Sequence, residues 1–309
     1  MTNIPLSSSP LPPVADAKTL WHYTTPQNMS LIAKSGELWA TSPRHQNDQS
    51  EGIYAWQVVE NAWRELRNSG LNEDARRLLD LAFTENMGET VKRSVFTLSA
   101  SSSPTVAHLW KEYAAGSTGF ALGLDVGDYF WAPKYRLTQI LEKNDFNRAL
   151  PGREGWFRVE YDPIEQVAMA NHALKWLAEF WPRVGEIPWV GNPWGLYVDN
   201  VRFVVRSLLL LMKDPTYAPE QEVRFIAGRP IRAENIVLEQ DDLAHLPLAV
   251  IPYLGNRYTR PGLPIVDLSY CAQGDPWRAL EIKTAMHLRT DQVKSVICES
   301  DRARARQKG

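Results

Sequence analysis

Two short stretches hold the residue types from which chemistry could be built. The first, Leu20-Trp21-His22-Tyr23-Thr24-Thr25-Pro26, joins an apolar and aromatic run that favours a strand to a Thr-Pro pair that favours a helix start. His22 and Thr24, two apart, face the same way on such a strand. The free N–H groups of the following helix would lie beside an imidazole and a hydroxyl, which suits an anionic ligand. The second stretch, Glu220-Gln221-Glu222-Val223-Arg224-Phe225-Ile226, reads as a strand with Glu220, Glu222 and Arg224 on one face. Two carboxylates on one surface can hold a substrate hydroxyl or stabilise a developing cation. Each stretch also has a plainer reading. His22 is equally well a buried imidazole satisfied by a backbone carbonyl, and the acidic strand a solvated face carrying an ion pair.

Three further residues join the list. Ser99 ends the run Val91 to Ser99 at a serine-rich turn, where hydroxyls could meet a ribose or phosphate, although most such runs are plain loops. Trp110 and Tyr113 are three apart on a helix and could form the flat wall of a ring pocket, or simply pack in the core. No His/Cys/acid cluster has metal-ligand spacing, and no Gly-rich phosphate loop or nucleophile elbow is present. No metal is therefore expected.

The elements that must position these residues alternate helix and strand without a regular βαβ rhythm. Helices are expected over 27–35, with Gly36 as the stop, from Ser50 to Gly70 on Ile53, Trp56, Val59 and Trp63, and over 73–83. A short helix follows Pro104, and longer ones span 164–180, on Val167, Ala170, Leu174 and Leu177, and 198–212. Strands are expected at 37–41, 91–99, 120–126, 156–161 and 220–226. The run from Trp181 to Trp194 reads as a loop, as does Ser42 to Ser50 with its Asn47-Asp48 turn; a hairpin is expected within 251–268. This mixture implies an α+β fold with mainly antiparallel sheets flanked by helices. The expected division is a flexible tail over 1–17, one domain over 18–300 and a basic tail over 301–309.

Composition narrows the function classes. With 309 residues, 44% of them hydrophobic, the chain can bury a sizeable core. A net charge of -2, from 34 basic and 36 acidic residues, makes no demand for nucleic acid or an acidic membrane. Two cysteines, Cys271 and Cys298, form no disulfide framework and suit a reducing cytoplasm. The chain lacks a signal peptide and any apolar run long enough to span a bilayer, so a cytoplasmic protein with no membrane partner is expected.

The ordered set Leu20-Trp21-His22-Tyr23-Thr24, Gly36-Glu37-Leu38-Trp39-Ala40-Thr41, Asn47-Asp48-Gln49-Ser50-Glu51, Phe96-Thr97-Leu98-Ser99, Trp110-Lys111-Glu112-Tyr113, Gly119 to Asp125 and Glu222-Val223-Arg224 resembles the bacterial family called domain of unknown function 2971. The likeness covers roughly residues 18 to 230. The His-x-Thr opening and the late Glu-x-Glu strand are also similar to the ADP-ribosyltransferase superfamily, which binds NAD on a split antiparallel sheet. That resemblance implies NAD as substrate and an acceptor that is a protein, nucleic acid or small molecule. It implies Glu222 as the catalytic acid with Glu220 guiding the acceptor. His22, Tyr23 and Thr24 would be cofactor contacts on the first motif, Ser99 would lie on the middle one, and Trp110 or Tyr113 would supply a stacking wall. Thr97-Leu98-Ser99 departs from the superfamily's usual middle motif. The bacterial setting suggests a toxin or antiphage effector. A nucleotide-binding module without the reaction is the alternative, and an RNA-end phosphotransferase, which would need several basic residues at the pocket, a third class.

Overall fold

A computed structural model of the chain describes residues 10–11, 17–41, 50–84, 96–126, 154–184, 193–227, 237–238, 244–248, 263–271, 274–288 and 290–296. The polar run 42–49, the first part of the strand expected from Val91, most of the segment 251–268 and both expected tails lie wholly or largely outside them.

The first strand, β1 (Thr19–Thr24), passes directly into α1 (Pro26–Ser35). Local chemistry sets both ends of that helix. The Thr25 hydroxyl accepts the Asn28 N–H, Pro26 stands where no N–H is needed, and Gly36 closes the helix in a left-handed conformation at φ 66°. After it come β2 (Leu38–Thr41), α2 (Ser50–Arg67), α3 (Glu73–Thr84), β3 (Phe96–Ser101), α4 (Ala107–Tyr113) and β4 (Phe120–Asp125). The chain continues through β5 (Glu154–Arg158), α5 (Pro163–Val184), α6 (Pro193–Leu211) and a 3-10 helix (Pro215–Glu220) to β6 (Glu222–Ala227). Last are β7 (Val237–Leu238), β8 (Ala244–Leu248), β9 (Ile265–Cys271), α7 (Pro276–Ala285) and β10 (Val293–Val296).

The strands form one open, forked sheet in an α+β fold. Its stem is β3-β6-β5, paired antiparallel throughout. The other edge of β3 is shared: β1 meets it at Trp21↔Ser101, and β2 meets it at Thr41↔Thr97. From these contacts the prongs run outward as β1-β4-β9-β10 and β2-β8-β7. Among the described strands only β9 and β10 pair in parallel. Ser99 stands midway between the two contacts, where neither prong pairs with it.

Alternation along the strands sends Leu98, Ala100, Val223, Phe225, Leu20 and Leu122 into an apolar layer covered by α1 and α7. The opposite face of β6 and β5, through Ile226 and Phe157, packs against α2, α3, α5 and α6. Helix α6 is apolar around most of its girth and runs through that second core, from Tyr197 past Val201, Val204 and Leu208 to Leu211. Trp21 and Tyr23 of β1 meet Leu109 and Trp110 of α4 in a small third cluster. Gly119 lets α4 end against β1, since a Cβ there would collide with the Ala114 and Thr24 carbonyls.

Several expectations change. Ser99 to Ser101 stay in the strand rather than turning, because pairing with β6 continues to Ser101↔Glu222. Glu220 leaves its expected strand: it ends the 3-10 helix, and Gln221 follows in the left-handed region at φ 49°. Trp181 to Val184 extend α5 instead of opening a loop, and α6 begins at Pro193, where proline's fixed φ suits a first turn. Ile53 and Val167, expected on buried stripes, are exposed; Ala55, Val59, Ala62, Trp63 and Leu66 form the buried stripe of α2. The described end of the expected hairpin, from Ile265 onward, is β9, paired to β4 and β10.

Candidate functional site

Ser99 lies at the crotch of the fork and is bonded on two sides. Its carbonyl, left open where β1 and β2 part, meets His22 Nδ1 at 2.9 Å. Its hydroxyl donates to the Glu222 carboxylate. Because Trp21 and Ser101 are directly opposed, alternation puts the Ser99 and Glu222 side chains on one face and those of His22 and Thr24 on the other. With Nδ1–H given to the carbonyl, His22 keeps Nε2 as an acceptor. Burial lowers the pKa of this imidazole, and the bond to Ser99 works against that shift.

On the Glu222 side lies a buried ionic cluster. Arg224 donates Nε and Nη2 to the two oxygens of Glu222 at 2.8 and 2.9 Å, and sends Nη1 to the Leu210 carbonyl at 2.7 Å. The guanidinium thus also meets the carbonyl-rich end of α6. Lys213, just beyond that helix, bridges both acids, with Nζ 2.8 Å from Glu220 Oε2 and 2.9 Å from Glu222 Oε2. Tyr161 accepts the Glu222 N–H at 3.0 Å, and its phenol pKa is raised by burial and then by the Glu222 charge. Burial acts to raise the Glu222 carboxyl, but Arg224, Lys213 and the Ser99 hydroxyl outweigh it and hold the group at about 2. Four donors therefore fill the roughly four lone-pair sites of this carboxylate.

Glu220 is held differently. Its carbonyl accepts the Ser101 hydroxyl at 3.0 Å, and its Oε1 lies 3.5 Å from His108 Nε2 of α4. The next serines serve the same turn: Ser102 bonds Gln221, and Ser103 pairs with Thr105.

The structure thus joins Ser99 to both His22 and Glu222, and joins Glu220 to Glu222 through a lysine rather than through strand alternation. It leaves the remaining expected contacts apart. Thr24 is buried at the far end of β1. Tyr23 uses its hydroxyl on Ser103 and Val106, bracing the turn before α4. Trp110 is a core residue, edge-on to Tyr23 at 5.4 Å with its Nε1–H on the Pro104 carbonyl, while Tyr113 is exposed. Lys213 and His108 were not foreseen. The available signal for Lys213 was a lysine directly after the most apolar helix; His108 stood one residue before the buried pair Leu109-Trp110.

Among the described residues no group of three His, Cys, Asp or Glu could hold a metal ion, and no helix is long and apolar enough to cross a membrane. Compared with family models, curated proteins and solved structures, the chain gives no significant match.

Proposed function

We propose that the chain is an NAD-dependent ADP-ribosyltransferase whose cleft is the fork at Ser99. The observation that carries this reading is Ser99 itself, an exposed residue in an unpaired gap of the sheet, bonded to His22 through its carbonyl and to Glu222 through its hydroxyl. Cleavage of the nicotinamide–ribose bond passes through an oxocarbenium-like state, which an ionised carboxylate stabilises while accepting the ribose 2′-hydroxyl. Glu222 is kept ionised by its partners. The Ser99 hydroxyl can rotate away, and the acceptor site it vacates is the one open to a substrate hydroxyl. His22 Nε2 supplies a further acceptor on the opposite face of the fork.

A second reading is a nucleotide-binding module of the same fold that performs no transfer. The bidentate Arg224–Glu222 pair favours it, since a carboxylate with every site filled is a structural group first. The RNA-end phosphotransferase finds less support, because Lys213 and Arg224, the cations at this cluster, are both committed to carboxylates. Incubating the protein with labelled NAD, with and without cell lysate, separates the first two. Transfer of label or release of nicotinamide supports the transferase; binding without either supports the module.

A further inference from the structure

We propose that His108 is the general base of this site: its Nδ1 takes the proton of the acceptor as the acceptor attacks C1′ of the NAD ribose. This rests on the ADP-ribosyl-transfer reading. His108, Glu220, Lys213, Glu222 and Arg224 form a continuous chain of contacts from the surface inward, at 3.5, 2.8, 2.9 and 2.8 Å. The His108 side chain is 48% exposed, against 4 to 8% for the other four, so it is the member of the chain that meets solvent and an incoming acceptor. Lys213 fixes Glu220 through Oε2 and leaves Oε1 toward the imidazole. Nε2 is thus the ring nitrogen beside the carboxylate, 3.5 Å from Oε1, and Nδ1 is the one left to take a proton from the acceptor, in the manner of a base placed by a third group.

Charge balance supports the same role. Glu220 and Glu222 cancel Lys213 and Arg224, so the cluster is neutral when His108 is neutral. A proton arriving on His108 would therefore meet no net positive charge, and Glu220 is the nearest counter-ion. The other charged groups facing His108 are Glu112, one turn further along α4, and Lys111, which is 3.0 Å from Glu112. In the step, the bond from the acceptor heteroatom to C1′ forms and the C1′–N bond to nicotinamide breaks. Nicotinamide leaves neutral with that electron pair, and the acceptor's proton passes to Nδ1 and then to water.

The test uses the full chain, labelled NAD and methanol as acceptor, so that the product is methyl-ADP-ribose. The wild-type rate should rise with pH and then level. His108→Gln should abolish that limb and lower the rate roughly a hundredfold, with NAD affinity unchanged. If His108→Gln keeps the pH limb or the wild-type rate, the inference is wrong and the transferase reading stands. Wild-type protein that binds NAD without cleaving it overturns the inference and leaves the binding module. Protein that does not bind NAD overturns inference and reading together.

Discussion

Arg224 grips Glu222 along the side of its guanidinium, two residues away on the same strand and on the same face, with both groups almost wholly buried. An i,i+2 pair on an exposed strand would contribute little. Here the pair sits beneath the end of α6, where water cannot replace either partner.

Removing one partner should therefore cost far more than removing both. Arg224→Met should lower stability by about 3–5 kcal/mol, because it leaves a buried carboxylate with Lys213 as its remaining cation. Combining it with Glu222→Gln should recover a good part of that loss. Urea titrations of both variants give the coupling directly, and additive losses would show that the two residues act independently.

Ser99→Ala removes one donor from Glu222 and leaves the carbonyl bond to His22 in place. Stability should fall by about 1 kcal/mol, the usual net worth of one hydrogen bond. If the hydroxyl merely fills a structural site, that is the whole effect. If a ribose hydroxyl must displace it from the carboxylate, NAD should also bind more tightly to the variant, by roughly fivefold for a bond of that worth, measured by calorimetry.

What was legible in the chain follows from how local each cause is. The Thr25, Pro26 and Gly36 signals act within one helix, and α1 obeys them. The buried stripe of α5 from Ala170 through Leu177 was visible as a period, whereas Val167, one turn earlier, lies beyond the packed surface. Ser99 was expected at a turn because serines favour turns, and only pairing with a strand about 120 residues later keeps it extended. The fork depends on two single register contacts, Trp21↔Ser101 and Thr41↔Thr97, which no pattern within β1, β2 or β3 announces. Glu220 and Glu222 were expected together, and they are. Their meeting point is Lys213, which reaches them because α6 ends where Met212 bridges Glu160.

Acid should weaken the fold through Glu222. Its carboxyl is held at about 2 against an ordinary 4.5, so the unfolded chain takes up a proton that the folded chain refuses. The resulting stability is fully present above about pH 4.5 and is lost as pH falls from there through about 2, on the order of 3 kcal/mol at about 1.4 kcal/mol per unit. His22, lowered by its burial, adds a loss of the same sign that begins below its ordinary 6.5. Urea titrations between pH 7 and 3 should show Glu222→Gln starting less stable and losing less below pH 4.5. Parallel curves for the two proteins would contradict this account.

The sharpest separation of the two functional readings comes from Glu222→Gln. The amide keeps the size of the side chain and one acceptor oxygen but removes the negative charge. A transferase that uses this charge against the oxocarbenium-like state should still bind NAD, while turnover falls by roughly two to three orders of magnitude. Stability falls as well, because Arg224 and Lys213 then share a single carboxylate, Glu220. Assays therefore belong below the melting temperature of the variant, with NAD binding measured on the same sample. A binding module would show the same stability loss and no turnover in either protein. Full turnover in Glu222→Gln, with the protein folded and NAD bound, would remove Glu222 from the chemistry and leave the buried ion pair as its only role.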